Sequence, residues 1–263
     1  MYGLKIWDGG AWQINNVMIT NRSDESYLLA KEFGLGIEVH DFFFPKVMDN
    51  PQLHKESIKQ LLGGIKLRSI HGPFSDLVPA SCDTKIIEVC RSRFTSAFET
   101  AKELNAQHLI FHTGFIPKTY FPKDWLNNSI KFWSDFLSDK PNDIEIHIEN
   151  VYEDDLNLIK DLVDAVDNPK FSVCLDLGHV NINSSKTLTH WIAGLNDRIR
   201  YVHMHNNYGE FDDHFGLWKG QIDMLNTLES LKVHSPRAMW TIETLSDDIK
   251  PSIKWLADNG FIK

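Results

Sequence analysis

Eight short apolar runs, each followed by a longer amphipathic stretch, predict an α/β protein whose parallel sheet closes into a single (β/α)8 TIM barrel. Three observations carry this reading. The chain of 263 residues divides into eight units of about 33, the length of one strand–helix unit. The best-marked strands alternate polar and apolar residues along their whole length. No glycine-rich dinucleotide turn follows the first run, so the rival open doubly wound sheet lacks its signature. No linker, low-complexity segment or repeat divides the chain, and residues 1–263 read as one barrel domain.

Taken in order, the first strand is read at 3–7 (GLKIW), with an amphipathic stretch near 24–33. The second, 35–40 (LGIEVH), precedes a helix near 52–62, and the third, 67–71 (LRSIH), precedes the long pattern at 83–105. The fourth, 107–112 (QHLIFH), leads to 122–138, and the fifth, 144–149 (IEIHIE), leads to 154–166. The sixth, 171–176 (FSVCLD), is followed by 186–196, the seventh, 199–205 (IRYVHMH), by 220–231, and the eighth, 239–243 (MWTIE), by 247–258. In the fifth, Ile144, Ile146 and Ile148 alternate with Glu145, His147 and Glu149; in the seventh, Val202 and Met204 alternate with Tyr201, His203 and His205. In the eighth, Trp240 and Ile242 alternate with Thr241 and Glu243. The apolar set is expected to face the helices and the polar set the barrel axis. Such an axis is unusually polar, and polar groups at that depth must be paired or bound to something.

Composition narrows the classes. Hydrophobic residues make up 42% and charged residues 24%, as in an ordinary globular protein. The net charge of −9 argues against a non-specific nucleic-acid partner, although metal ions would offset it locally. Cys82, Cys90 and Cys174 are too few and too scattered for a disulfide framework or a thiolate zinc cage, so the expected compartment is a reducing cytoplasm. No run approaches the roughly 20 apolar residues of a membrane span, and the start of the chain reads as a strand rather than a signal peptide.

From the third strand onward, the last inward residue is a metal-ligand type each time. These are His71, His112, Glu149, Asp176, His203 with His205, and Glu243; the sixth strand adds His179, and a loop adds Asp212 and His214. In this fold the C-terminal strand ends build the active site. One such residue is ordinary. Six consecutive strands ending this way would leave mutually repelling charges unless cations sit among them. Imidazoles and carboxylates without thiolates suit zinc, manganese or a similar divalent ion. The subset Glu149, Asp176, His203 and Glu243 leans toward one manganese-like ion, whereas all nine of His71, His112, Glu149, Asp176, His179, His203, Asp212, His214 and Glu243 suggest two or three. Asp176 is equally a helix N-cap. Glu38 and His40 share one face of the second strand, to touch substrate or to pair in the core, and Phe44, Phe74, Trp218 and Trp12 fall in loops where they could wall a pocket. His108, at a strand start, reads as structural; His147, inward and below Glu149, reads as orienting the ligands. There is no phosphate-binding P-loop, no nucleophile elbow and no strand-end lysine for a Schiff base.

Taken together, His71-Gly-Pro-Phe, His112-x-Gly, Glu149-Asn, Asp176-x-Gly-His179, His203-x-His205-Asn-Asn, Asp212-x-His214 and Glu243 resemble the xylose isomerase-like TIM-barrel superfamily. That group includes sugar phosphate isomerase/epimerase and endonuclease IV-like proteins. Two departures stand out: Asn206-Asn207 where relatives often have Asp-Asn, and Trp218 where a glycine is common. The resemblance implies an enzyme acting on a small sugar, polyol or sugar phosphate. In it Glu149 and Glu243 exchange the proton, His179 holds the substrate, and Glu38, His40, Phe74, His205 and Trp218 line its site. The alternative it implies is a multinuclear zinc phosphodiesterase acting on abasic DNA.

Overall fold

The computed structural model describes residues 16–262 apart from Asn142, and in it eight parallel strands close into a barrel in sequential order. In chain order the elements are β1 (Val17–Thr20), α1 (Asp24–Phe33), β2 (Gly36–Val39), α2 (Pro45–Asp49), α3 (Pro51–Leu61), β3 (Arg68–His71), α4 (Thr84–Glu103), β4 (His108–His112) and α5 (Pro122–Leu137). They continue with β5 (Glu145–Glu149), α6 (Asn157–Val166), β6 (Phe171–Asp176), α7 (Leu177–Asn183), α8 (Leu188–Leu195), β7 (Ile199–Met204), α9 (Met224–His234), β8 (Met239–Ile242) and α10 (Ser246–Asp258). None of the helices among the described residues is long and apolar enough to cross a membrane.

The predicted barrel is therefore the observed one, with a correction at its first strand. The segment 3–7 lies outside the described residues, and the place of β1 belongs to Val17–Thr20. Closure requires that assignment, since Val17 pairs with Trp240 and Ile19 with Ile242 on one side, while Met18 pairs with Gly36 on the other. Three apolar residues in succession open VMIT and all four residues are buried, so no polar–apolar alternation marks it in the sequence. Two short helices were also unforeseen: α2 opens on Pro45, and α7 starts directly from β6 with Asp176 as its N-cap.

Parity builds two layers. Outward residues such as Ile37, Ile70, Phe111, Ile148, Val173, Val202 and Trp240 pack with Phe94, Trp133, Leu162, Trp191 and Leu228 of the helices into one continuous core. The Phe94 ring lies 4.2 Å from Phe111 and 5.5 Å from Trp133, so aromatic stacking joins α4 and α5 to β4. Inside the barrel a thin apolar plug of Met18, Ile110, Cys174 and Tyr201 fills the waist. Above the plug, toward the C-terminal strand ends, the axis is polar. That layer carries the site.

Candidate metal centre

The nine donors gather at the C-terminal mouth, and the local hydrogen bonds decide which atoms face inward. His71 Nδ1 is held by its neighbour's carbonyl, Gly72 O, at 2.9 Å; His179 Nδ1 by Asn150 O at 2.8 Å; His214 Nδ1 by Glu243 O at 2.8 Å. With Nδ1–H donated to a backbone carbonyl, each Nε2 presents a lone pair, which is how ligating histidines are held. His203 is set the other way round. Its Nε2 lies 3.1 and 3.2 Å from the two oxygens of Glu38, leaving Nδ1 buried without a hydrogen bond and 3.1 Å from Glu243, 3.4 Å from Glu149 and 3.8 Å from Asp176.

These atoms fall into three groups. His71 Nε2 and His112 Nε2 lie 3.2 and 3.4 Å from Glu149 Oε2. His203 Nδ1 faces Glu149, Asp176 and Glu243 as above. His179 Nε2 and His214 Nε2 lie 3.3 and 3.1 Å from Asp212 Oδ2. Glu149, on β5 and central to the mouth, is shared by the first two groups. His214 is turned toward Asp212 by a left-handed backbone, φ 49°, a conformation that costs a non-glycine residue energy and is stored where geometry demands it.

The electrostatics agree with the donor geometry. Burial alone would raise the Glu149 carboxyl, yet His112, His203 and His179 hold it well below the usual carboxylate range. Burial likewise opposes ionisation of Glu243, and the charges of His203, His214 and His40 bring it down to about 2. Burial would lower His214, but Glu243 and Asp212 lift it to about 9, and His179 and His203 are also raised well above the ordinary imidazole range. His112, by contrast, is driven by burial down to about 3. Crowded carboxylates therefore draw positive charge onto the imidazoles. Divalent cations would supply that charge between the donors and return the rings to the neutral, ligating form. The orphaned Nδ1 of His203, facing three carboxylates, fits such a cation.

Over these donors opens a cavity of about 750 Å³. His40, Phe74, His71, His112, His179, Asp212, His214, Glu149 and Glu243 line it. Phe74 stacks on His112, ring centroids 4.2 Å apart. Glu38 and His205 are fully buried and do not reach the cavity wall. Glu38 serves His203 from below and also accepts from Tyr201 at 2.5 Å and from His40 at 2.8 Å. His205 Nε2 lies 3.1 and 3.2 Å from the oxygens of Asp176, its ring stacked 4.1 Å from His214. Trp218 is about half exposed and covers the Gly216 backbone outside the cavity lining. Phe44 is exposed against Phe43, outside the cavity lining, and Trp12 lies outside the described residues.

Asp176 is the N-cap of α7: its Oδ1 accepts from His179 N at 2.7 Å, and its Oδ2 faces His203 Nδ1 at 3.8 Å. The Asn206-Asn207 pair has a structural reason. Asn206 Nδ2 donates to Leu217 O and Ile222 O while its Oδ1 accepts from Asn207 N and Ile222 N, pinning the loop that carries Asp212 and His214. A carboxylate could not donate those two bonds. Sequence reasoning missed Arg22, which lines the cavity and places Nη2 3.5 Å from Glu243. Its signal was its position just after the true β1. Phe43, Phe115, Tyr152, Glu210 and Phe211 were also missed, because their loops carry no periodic pattern.

The structure thus joins a closed (β/α)8 barrel to a nest of buried histidines and carboxylates at its mouth. The chain belongs to the xylose isomerase-like TIM barrel family, whose model matches residues 28–259. A curated relative, an uncharacterised protein of Methanocaldococcus jannaschii, is 27% identical over 177 residues, 62% of this chain. The match spans 59% of that relative's length. Among solved structures, a D-tagatose 3-epimerase-like protein matches with TM-score 0.77 and 21% identity over 93% of this chain and 96% of its own. A Thermus thermophilus protein soaked with zinc chloride matches with TM-score 0.76 and 20% identity, covering 93% and 97%. The D-allulose 3-epimerase of a Methylomonas species, in complex with D-allulose, matches with TM-score 0.69 and 19% identity, covering 92% and 88%. At these identities the likeness is one of fold.

Proposed function

We propose that this protein is a divalent-metal-dependent isomerase or epimerase of a small sugar or polyol. The observation that carries the reading is the pairing of Glu149 and Glu243 around His203 Nδ1, on the floor of a cavity whose lining holds Arg22 as its one arginine or lysine among the described residues. Two ionised carboxylates beside one cation position suit removal of a proton from carbon on one side and its return on the other. When bound, the metal would polarise a substrate carbonyl and its neighbouring hydroxyl, and so acidify the C–H between them. Glu149, Asp176, His203 and Glu243 are the residues proposed to hold it. Glu243, steadied by Arg22, is proposed to take the proton; Glu149 exchanges it on the opposite face, and His179 keeps a substrate hydroxyl in place. Aromatic walls such as Phe43 and Phe74 offer faces for sugar C–H groups. The fold it shares with a D-tagatose 3-epimerase-like protein and with a D-allulose 3-epimerase in complex with D-allulose supports the same class. Incubation of the zinc- or manganese-loaded protein with ketoses and aldoses in deuterated water tests it. Deuterium should enter one carbon of one sugar, and a whole panel without incorporation would overturn the reading.

A second reading rests on the three donor groups, which exceed what one ion needs. Two or three zincs sharing Glu149 would suit hydroxide attack on a phosphodiester. The acidic lining, with Asp76, Glu210 and Asp212 against Arg22, weighs against a nucleic-acid backbone. Cleavage of an abasic-site duplex by protein holding three zincs, with no deuterium exchange into sugars, would favour it over the first.

A further inference from the structure

A second group of metal-ligand side chains lies at the opposite end of the barrel, where no part of the proposed reaction takes place. We propose that His108, His147 and Glu145 form a zinc-class cation site at the base of the barrel, separate from the donors at the mouth. His108 and Glu145 are register partners at the first positions of β4 and β5, and His147, two residues on along β5, points inward with them one layer higher. One ligand atom from each lies within 4.8 Å of the others. The plug residue Tyr201 roofs them, its ring 5.0 Å from His147 and 5.7 Å from His108, and its hydroxyl belongs to the mouth network through Glu38.

The hydrogen bonds favour ligation. His147 Nδ1 pairs with Ser172 Oγ at 2.7 Å, which turns Nε2 toward His108 Nδ1 at 3.0 Å. Two imidazole nitrogens on one tetrahedral zinc stand about 3.3 Å apart, given Zn–N bonds near 2.0–2.1 Å. Opening the pair by a few tenths of an ångström would therefore admit the ion. No proton need leave the protein: with His147 Nδ1–H donating to Ser172 Oγ, His147 Nε2 already carries a lone pair, and His108 frees Nδ1 by moving its proton to Nε2. Burial lowers His108 to about 4 and His147 well below the ordinary imidazole range, so both rings are neutral at pH 7. Two cations face the group. Lys170 Nζ lies 3.6 Å from Glu145 Oε1, and Arg200 acts on both histidines; Lys170 is 31% exposed and has solvent to swing into when a dication takes Glu145. Glu145 is itself 25% exposed at its side chain, which gives the ion an entry path and a water for the fourth position.

A metal here would tie the first residues of β4 and β5 together at the stability face of the barrel. The test is a crystal of the full chain, stripped with chelator and reloaded with zinc alone, measured at the zinc absorption edge. An anomalous peak about 2 Å from His108 Nδ1 and His147 Nε2 is expected, beside those at the mouth. Elemental analysis should show Glu145→Gln and His108→Asn each losing one zinc per chain while the mouth peaks persist. Mouth peaks without a base peak, or an unchanged zinc count in both variants, would overturn the proposal and leave the proposed function untouched.

Discussion

Gly178 is the residue whose substitution tests the site most directly, and the alanine variant can be worked out from contact distances. In the fold Gly178 lies in the first turn of α7, and a Cβ built there would stand 1.9 Å from His205 Cε1 and 2.5 Å from His205 Nε2. Carbon atoms want about 3.5–4.0 Å, so the ring would have to retreat by roughly 1.5 Å or more. It has nowhere to go. His205 is fully buried, with Asp176 at 3.1 Å from Nε2 and the His214 ring stacked at 4.1 Å. Overpacking costs about 1–3 kcal/mol, and loss of the charge-assisted bond to Asp176 about 1.5–3 kcal/mol. Alanine returns at most ~1 kcal/mol of helix propensity. The expected net loss for Gly178→Ala is roughly 2–5 kcal/mol. In a His205→Ala background the obstructing ring is gone, and the same substitution should be neutral or slightly stabilising. Urea unfolding of the four metal-free proteins measures the cycle, with a coupling of about 2 kcal/mol or more expected. If Gly178→Ala costs the same in both backgrounds, the packing argument fails.

Three further outcomes follow from the same geometry. Glu38→Gln removes the charge that orients His203 through Nε2, so zinc held at His203 Nδ1 should weaken about 10–100-fold in a chelator competition; unchanged affinity would refute the orienting role. Because Glu149 serves two donor groups and Asp212 one, Glu149→Gln should lose more zinc per chain than Asp212→Asn by elemental analysis, and equal losses would show that Glu149 is not shared. For the metal-free protein, His214 at about 9 lies above its ordinary 6.5, so its stabilisation is complete below pH ~6.5 and lost as pH rises through ~9. Glu243 at about 2 lies below its ordinary 4.5, so its stabilisation is complete above pH ~4.5 and lost as pH falls through ~2. Thermal melts in chelator should peak between those limits, and a melting temperature that stays level from pH 6.5 to 9 would contradict the His214 assignment.

The strands from β2 onward were legible because strand parity is a local property. Ile144 to Glu149 alternate whatever the rest of the chain does, and β6 was read to the residue at Phe171–Asp176. Donor chemistry at successive strand ends was legible for the same reason, since the fold class says which end of each strand meets the others. The first strand was not, because three apolar residues in a row leave VMIT without alternation and only its pairing with Trp240 and Gly36 identifies it. Arg22 was lost with it.

By itself, then, the sequence determined the barrel, its polar axis and the nine donor types at its mouth. Tertiary structure decided which atoms meet. Glu38 lies 165 residues from His203, and only closure of the sheet brings its carboxylate beneath that ring and turns Nδ1 upward. Glu38, alike in type to the cavity residues, sits below them because each strand's height in the barrel is set by register with its neighbours, whereas His205, just past the end of β7, is buried beside Asp176 and the His214 ring. The turned loop of Asp212 and His214 likewise depends on Asn206 reaching Leu217 and Ile222. Residue types and their alternation are written locally; depth, tautomer and the sharing of Glu149 arise from contacts between strands far apart in the chain.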